Sequence, residues 1–430
     1  MTIYDLLLTG GRVVDVGGGH VGRYDVAVRG GQIAAVAPAL PAGSARDVVD
    51  VTGHLVTPGL VDLHTHVHPG ATYWGIHPDP VAWHSGVTTW VDAGSAGAWG
   101  IDALRAAVGT YRVRVKALLH ISALGLTGRT GESDDLARLD VDAALDAVTR
   151  HPDLVAGVKV RIDHEAVGAN GVRPLERALD VARAAGLPVM VHVAGGPPGP
   201  ADVLPLLRPG DILTHCASGV AETGAGPVVR EAYARGVLLD VGHGAGGFAF
   251  DVLEEQLAAG LAPHTVSTDL HARCRYGPVF DLPTTMAKLR AVGVPLEDVV
   301  AAATATPAAA LRLPGGVGTL TVGAPADIAV FAVEDGPFPV ADAHGQVRQA
   351  PERLVNVATY VAGRPLPPSL PEPPPPWIPL TPSQRAALER RDEALRALLG
   401  RPLVGPDGLT EQFPRPSTQV SPSTQVSPEG

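Results

Sequence analysis

Two histidines placed two residues apart are the first sign of chemistry in this chain. The stretch from Thr57 to His66 reads TPGLVDLHTH and contains His64 and His66 near the end of a predicted strand, 61–64. Side chains at positions i and i+2 of a strand point to the same face, so both imidazoles project together. Two neutral imidazoles on one face can chelate a divalent ion, and zinc accepts such nitrogen ligands readily. The pair predicts a metal site.

Four more side chains of ligand type stand at or near the ends of later predicted strands. They are Lys159 in GVKVRI, His192 in VMVHVA, His215 in DILTHCASG and Asp269 in TVSTDLH. In a closed parallel barrel the carboxyl ends of the strands meet at one rim, where barrel enzymes build their sites. A single histidine or aspartate at such a place is more often structural. Six ligand-type residues at successive strand ends favour a shared metal site.

The elements that must position these residues lie between 57 and 312. Stretches with helical periodicity separate most of the predicted strands. Eight such βα units in about 250 residues are the size of a (β/α)8 barrel of the TIM type, and an open doubly wound sheet is the alternative. The predicted strands are 61–64, 87–92, 113–121, 155–160, 188–193, 212–215, 237–241 and 265–268.

The segments on either side of the barrel have a different character. Short β-strands separated by glycine-rich turns are predicted in 1–56 and again in 313–366, which suggests one small β-sandwich domain built from N- and C-terminal segments. A proline-rich stretch and a helix follow in 367–402, where the sequence from Thr381 to Gln384 is typical of a capping box. The repeats in 403–430 predict a disordered tail.

Composition and charge exclude several classes of protein. The chain has 430 residues, 45% of them hydrophobic, and a net charge of −11, which argues against binding to nucleic acid or to a membrane surface. Two cysteines, Cys216 and Cys274, are too few for a disulfide scaffold. No signal peptide or membrane-spanning stretch is recognised, so we expect a cytoplasmic protein. The barrel or the C-terminal helix could support a homo-oligomer.

The ordered series of metal-type residues resembles that of the amidohydrolase superfamily. Within it, the stretches GLVDLHTHVHPG, GDILTHCASG and TVSTDLH are most similar to the amidohydrolase/deacetylase group related to dihydroorotases. The resemblance extends from about residue 3 to 366, and it implies a (β/α)8 barrel with a flanking β-sandwich. It also implies two zinc ions per chain: His64, His66 and Asp269 would hold one, His192 and His215 the other, and an N6-carboxylated Lys159 would bridge them.

The same resemblance implies a reaction. A hydroxide bridging the two metals would attack the scissile carbonyl, and Asp269 would carry the proton to the leaving atom. We expect a hydrolase that removes an acyl group, in particular acetyl, from a small N-acyl amino acid or O-acyl α-hydroxy acid. A cyclic-amide hydrolase of the dihydroorotase or hydantoinase type is the alternative, followed by a non-catalytic scaffold of the same fold.

Residues that would select the substrate are less clearly marked. Arg161 lies two residues after Lys159, so it could clamp a substrate carboxylate or form an ion pair at the barrel rim. His271 follows Asp269 in the eighth βα loop and could contact the substrate. His243, in DVGHGAGG after the seventh predicted strand, could donate a hydrogen bond to the substrate or support another residue.

Overall fold

The protein is described here by a computed structural model covering residues 3–369, 374–399, 404–405 and 408–409. The strands in chain order are β1 Tyr4–Asp15, β2 His20–Arg29, β3 Gln32–Ala37, β4 Ala45–Asp50, β5 Leu55–Pro58, β6 Leu60–Thr65, β7 Val87–Gly97, β8 Arg114–His120, β9 Val155–Ile162, β10 Val189–Val193, β11 Ile212–Thr214, β12 Leu238–Leu239, β13 Ile328–Ala341, β14 Val347–Val361, β15 Arg364–Pro365, β16 Val404–Gly405 and β17 Gly408–Leu409. Most of the predicted tail, 403–430, lies outside the described residues.

The α-helices lie mainly between the strands of the middle region. In chain order they are α1 Asp79–Ser85, α2 Ile101–Val108, α3 Val141–Arg150, α4 His164–Val167, α5 Arg173–Ala185, α6 Pro200–Val203, α7 Pro227–Ala234, α8 Phe250–Ala258, α9 Leu282–Ala291, α10 Leu296–Ala302, α11 Ala305–Ala310 and α12 Pro382–Leu399. Short 3-10 turns occur at Ala42–Ser44, Leu136–Arg138, Gly168–Asn170 and Leu204–Leu206. In the part of the chain that the structure describes, no helix has both the length and the apolar composition needed to cross a bilayer.

Strands from both ends of the chain form one mixed sheet. Its order is β15-β14-β13-β5-β1-β2-β3, with β4 paired to β1. The two ends meet where β13 runs antiparallel to β5, with Val330 opposite Val56. Apolar side chains such as Leu8, Val13 and Ile328 form one buried cluster, so this sheet has a hydrophobic core of its own.

The second sheet is parallel and follows the chain from β6 to β12 in sequence order. Leu63, Val91, Leu118, Met190 and Ile212, from five of the seven strands, share one buried cluster. These apolar side chains fill the interior of the sheet, as expected for a (β/α)8 barrel whose centre is packed rather than open. The predicted metal ligands lie outside this apolar cluster, at or near the carboxyl ends of the strands.

The eighth predicted strand, 265–268, is an extended segment rather than a regular strand. On one side Val241 N donates to Thr265 O at 3.0 Å, and on the other His66 N donates to Leu270 O at 3.0 Å. These bonds close the sheet between the seventh and first positions. Regular pairing is interrupted at Thr268, whose N donates to the side-chain Oδ1 of Asp62 in β6 at 3.0 Å instead of to a backbone carbonyl of that strand.

The capping box predicted before the C-terminal helix is present. Thr381 N donates to Oε1 of Gln384 at 3.0 Å, and Gln384 N donates to Oγ1 of Thr381 at 3.2 Å. The two bonds satisfy donors that would otherwise be free at the start of α12.

Candidate metal centre

The predicted histidine pair converges with Asp269. His64 lies in β6 and His66 directly after it, and their Nε2 atoms are 3.3 and 3.1 Å from Oδ1 of Asp269. Asp269 adopts a left-handed backbone conformation with φ of 49°, which turns the chain immediately after the eighth barrel segment. Three ligand-type groups from the two ends of the barrel sheet therefore meet at one point.

The two later histidines lie on the adjoining side of this point. Nε2 of His215 is 2.7 Å from Nδ1 of His192 in β10 and 3.9 Å from Oδ2 of Asp269. His64, His215 and Asp269 each offer a ligand atom within 4.8 Å of the others. The structure thus brings the four predicted histidine ligands and Asp269 into one cluster.

Lys159 completes the cluster from β9. Its side chain is only 1% exposed, and Nζ lies 3.0 Å from Nε2 of His64. Burial lowers the pKa of Lys159 from 10.5 to about 7. A side chain at Gly94 would collide with it, because a Cβ there would lie 2.7 Å from Cγ of Lys159. The glycine on β7 therefore makes room for the lysine.

A relay of hydrogen bonds orients His64. The hydroxyl of Thr214 donates to Oδ2 of Asp240 at 2.7 Å, and Nδ1 of His64 lies 2.8 Å from the same hydroxyl oxygen. Since the threonine proton is already committed, Nδ1 of His64 is the donor. The lone pair is consequently on Nε2, which faces Asp269, and this is the arrangement that a metal ligand needs.

Two of the other imidazoles, those of His66 and His215, also place Nδ1 against an oxygen acceptor. Nδ1 of His66 lies 3.1 Å from the hydroxyl of Ser95, and Nδ1 of His215 donates to the carbonyl of Gly242. A carbonyl only accepts, so Nε2 of His215 carries a lone pair. The donor set of neutral nitrogens and a carboxylate fits a divalent transition metal such as zinc.

The protonation states agree with this fit. Burial lowers the pKa of His64 and His192 well below 6.5 and that of His215 to about 4. Burial by itself would raise the pKa of Asp269, but the surrounding imidazoles, His64 first among them, hold it well below 3.8. Neutral imidazole and ionised carboxylate are the forms that bind metal ions.

Two buried aspartates that the sequence analysis missed support the strand ends. Asp62 accepts from N and Oγ1 of Thr268 at 3.0 and 2.6 Å, which fixes the residue before Asp269, and burial raises the pKa of Asp62 to about 8. Asp240 accepts at 2.7 Å from the hydroxyls of Thr265 and Ser267, and from Thr214 as described above. A carboxylate inside an otherwise apolar strand was the available signal for both.

Arg161 lies on the His192 side of the cluster and forms ion pairs. Its guanidinium nitrogens are 3.5 Å from Oδ2 of Asp163 and 3.6 Å from Oε1 of Glu132. The same Oδ2 lies 3.6 Å from Nε2 of His192. Both contacts to Arg161 are longer than ordinary hydrogen bonds, and its buried Nε has no hydrogen-bond partner among the described residues. The guanidinium therefore retains donor capacity beside the cluster.

His271 and His243 occupy different positions relative to the cluster. The His271 ring is 6.2 Å from that of His66 and 5.0 Å from that of Trp74, so it borders the site. His243 is fully buried; Nδ1 donates to Gly244 O at 2.8 Å, and Nε2 lies 2.6 Å from Nζ of Lys288. Both ring nitrogens of His243 have protein partners. This favours a role in supporting another residue over a hydrogen bond to the substrate, the two roles that the sequence left open.

Comparison with known proteins agrees with this architecture. A profile described as the amidohydrolase family matches residues 55–364, well over half of the chain. The chain belongs to the amidohydrolase family, and its fold is that of the family, a (β/α)8 barrel with a β-sandwich. The resemblance seen in the sequence is confirmed, and the class of protein is a hydrolase with a candidate His/Asp metal site.

Particular relatives are more informative about the branch of the family. The chain is 38% identical over 370 residues to a deacetylase of Agrobacterium fabrum, covering 83% of this chain and 90% of the relative. It is 33% identical over 371 residues to a deacetylase of Enterococcus faecalis, covering 84% and 98%. A solved structure described as a dihydroorotase is 35% identical, with a TM-score of 0.78 and coverage of 86% and 99%. One described as an adenine deaminase is 33% identical, with a TM-score of 0.79 and coverage of 84% and 99%.

Proposed function

We propose that this protein is a metal-dependent deacetylase acting on a small acylated carboxylic acid. The substrate is an N-acetyl amino acid or an O-acetyl α-hydroxy acid, and the bond cleaved is the amide or ester to the acetyl group. The observation that carries the proposal is the convergence of His64 and His66 on Asp269, with Lys159 and the second histidine pair adjoining. The deacetylase relatives at 33 to 38% identity support the choice of reaction.

The donor set is suited to two zinc ions. His64, His66 and Asp269 would hold one ion, and His192 and His215 the other. Nζ of Lys159, as the neutral amine, would form a bond to the carbon of carbon dioxide and release one proton, which leaves a carboxylate able to bridge both sites. When bound, the ions polarise the scissile carbonyl and lower the pKa of water towards about 7.

Asp269 acts as the general base and then as the general acid of the proposed reaction. Its carboxylate is ionised before the reaction because nearby imidazoles lower its pKa, so it can accept a proton from the attacking water. It then delivers that proton to the nitrogen or oxygen of the leaving group. An amide nitrogen needs this proton more than an ester oxygen does, and amides should therefore depend more strongly on Asp269.

Arg161 is the residue best placed to bind the substrate carboxylate. It lies two residues after Lys159 on β9 and next to the His192 side of the cluster. Its guanidinium has donors left over from two long ion pairs, and a fork of donors matches a carboxylate. A small-molecule carboxylic acid is thus the partner that the site favours.

An acetate assay tests the proposed function. Purified protein is incubated with both enantiomers of N-acetyl amino acids and O-acetyl α-hydroxy acids, and released acetate is measured. We expect acetate from at least one of these compounds and none from the Asp269→Asn variant acting on the amide. No acetate from any compound, with metal bound, would overturn the proposal.

A second candidate follows from one of the solved structures. The 35% identity to a structure described as a dihydroorotase extends over 86% of this chain, which favours a cyclic-amide hydrolase as the alternative. Ring opening of dihydroorotate or a hydantoin releases no acetate, and its product is a linear N-carbamoyl amino acid. The two functions are therefore separated by running these cyclic compounds beside the acetylated ones.

A further inference from the structure

The chain continues beyond the family match and contacts the mouth of the barrel. The match ends at residue 364, whereas residues 374–385 lie against two loops at the carboxyl ends of the strands. We call these residues the C-terminal strap. The loops are 66–78, after β6, and 269–281, after the eighth barrel segment; they contain His66 and Asp269, two of the proposed metal ligands.

The strap is tied to the first loop through Trp377. Its indole Nε1 donates to the carbonyl of Tyr73 at 3.1 Å, and the hydroxyl of Tyr73 donates to the carbonyl of Trp377 at 3.4 Å. The next residue, Ile378, is only 6% exposed and belongs to the main hydrophobic cluster of the barrel. The strap is therefore anchored by burial as well as by hydrogen bonds.

The strap is tied to the second loop through Gln384. Its Oε1 accepts from Thr381 N in the capping box, and its Nε2 donates to the carbonyls of Arg273 and Gly277 at 3.0 and 2.9 Å. Carbonyls only accept, so the amide nitrogen must face the loop and the amide oxygen the cap. One side chain therefore joins the start of α12 to the loop that follows Asp269.

The two loops are also joined to each other beside the metal centre. Ala272 N donates to the carbonyl of Trp74 at 2.9 Å. The Trp74 ring packs 5.0 Å from the ring of His271, which is in turn 6.2 Å from that of His66. Tyr73 is the neighbour of Trp74 in sequence, so a bond to Tyr73 restrains the residue that faces His271.

We propose that the C-terminal strap holds these two loops in the arrangement that forms the substrate side of the site. Trp377 and Gln384 are positioning residues: they do not touch the substrate, and they act through Trp74 and His271. The kinetic part of this inference rests on the proposed deacetylation. The structural part, restraint of the loops, does not.

The test uses the full-length, metal-loaded protein and the substitution Gln384→Glu. Glutamate keeps the acceptor for the capping box but replaces the donating amide with a carboxylate that faces two carbonyls. Glu389→Gln, at an exposed position of the same helix, is the matched control. Trp377→Phe removes the indole donor while keeping an aromatic ring. Hydrogen exchange of the two loops and steady-state kinetics are measured for each variant.

We expect amide exchange in 269–281 to be roughly tenfold faster in the Gln384→Glu variant, from the loss of two hydrogen bonds. The Trp377→Phe variant should show faster exchange in 66–78. KM should rise about fivefold in each while metal content stays unchanged, and the control should match wild type. Unchanged amide exchange in both loops would overturn the proposal that the strap restrains them. Faster exchange with an unaltered KM would overturn the positioning role of Trp377 and Gln384. If wild type hydrolyses no acetylated acid, the proposed function fails, and the exchange data still decide the strap.

Discussion

Nζ of Lys159 lies 3.0 Å from Nε2 of His64, and both side chains are almost completely buried. Burial disfavours the ammonium form, so the pKa of Lys159 falls to about 7. A neutral amine is the form that can react with carbon dioxide, and arginine could not replace it. The position of this lysine among histidines leads to the first prediction.

Replacing Lys159 with alanine should lower metal content and reduce kcat/KM by at least about a hundredfold, because the proposed bridging group is lost. Short carboxylic acids such as formate or propionate should restore part of the activity. Lys116→Ala is the matched control, since this lysine lies near the opposite end of the barrel strands and contacts the carbonyl of Asp153. Full activity of the Lys159→Ala variant would contradict the carboxylated lysine.

Thr214 is expected to matter for metal affinity although it is not a ligand. In the Thr214→Val variant, Nδ1 of His64 loses its acceptor and the ligand loses its fixed orientation. We expect zinc affinity, measured by competition with a chromophoric chelator, to fall about 10- to 100-fold. Thr265→Val also removes a hydrogen bond to Asp240 but leaves His64 untouched. Equal losses of zinc affinity in the two variants would refute the role of Thr214 in orienting His64.

Lys288 should make stability depend on pH. Burial lowers its pKa in the folded protein from 10.5 to about 7. Between these two values the unfolded chain binds more protons than the folded one, so the free energy of unfolding attributable to Lys288 rises with pH. Below about pH 7 the lysine is charged in both states, and the folded state then holds a buried cation.

The Lys288→Met variant lacks this titration. Urea unfolding at several pH values above 7, with metal content matched, should show wild type gaining stability relative to the variant by up to about 1.4 kcal/mol per pH unit. Parallel stability profiles for the two proteins would show that the pKa of Lys288 is not depressed by folding.

Arg161 should select for a free carboxylate. The Arg161→Gln variant should show a KM roughly 10- to 100-fold higher for an N-acetyl amino acid. Its KM for the corresponding amino acid amide, which lacks the carboxylate, should change little. Arg138→Gln, at an exposed ion pair with Asp134, serves as the control. Equal increases in KM for the acid and for the amide would show that Arg161 acts only through its ion pairs with Asp163 and Glu132.

The barrel and the site cluster were accessible from the sequence because periodicity and ligand chemistry indicate the same positions. His64, His192 and His215 each lie at or near the end of a predicted strand, and parallel strands place their ends together. The eighth strand was predicted as regular because residues 265–268, TVST, are mostly β-branched and typical of a strand. Thr268 donates its hydrogen bonds to Asp62, more than two hundred residues away, and no local pattern reveals such a partner.

Other features depended on distant contacts or on overlooked signals. The capping box at Thr381 is local and was found, whereas the bonds from Gln384 to Arg273 and Gly277 join segments over one hundred residues apart. Lys288 could have been noticed, because only three of the 33 basic residues are lysines. Its contact with His243 still required the fold.

The metal content of the protein purified without chelators tests the central claim most directly. Elemental analysis should find about two zinc ions per chain in wild type, and a reduced content in the His64→Ala and Lys159→Ala variants. One ion per chain would contradict the bridged pair and leave Lys159 without its proposed role. No bound metal, with none taken up from added zinc and bicarbonate, would contradict the account of the site as a whole.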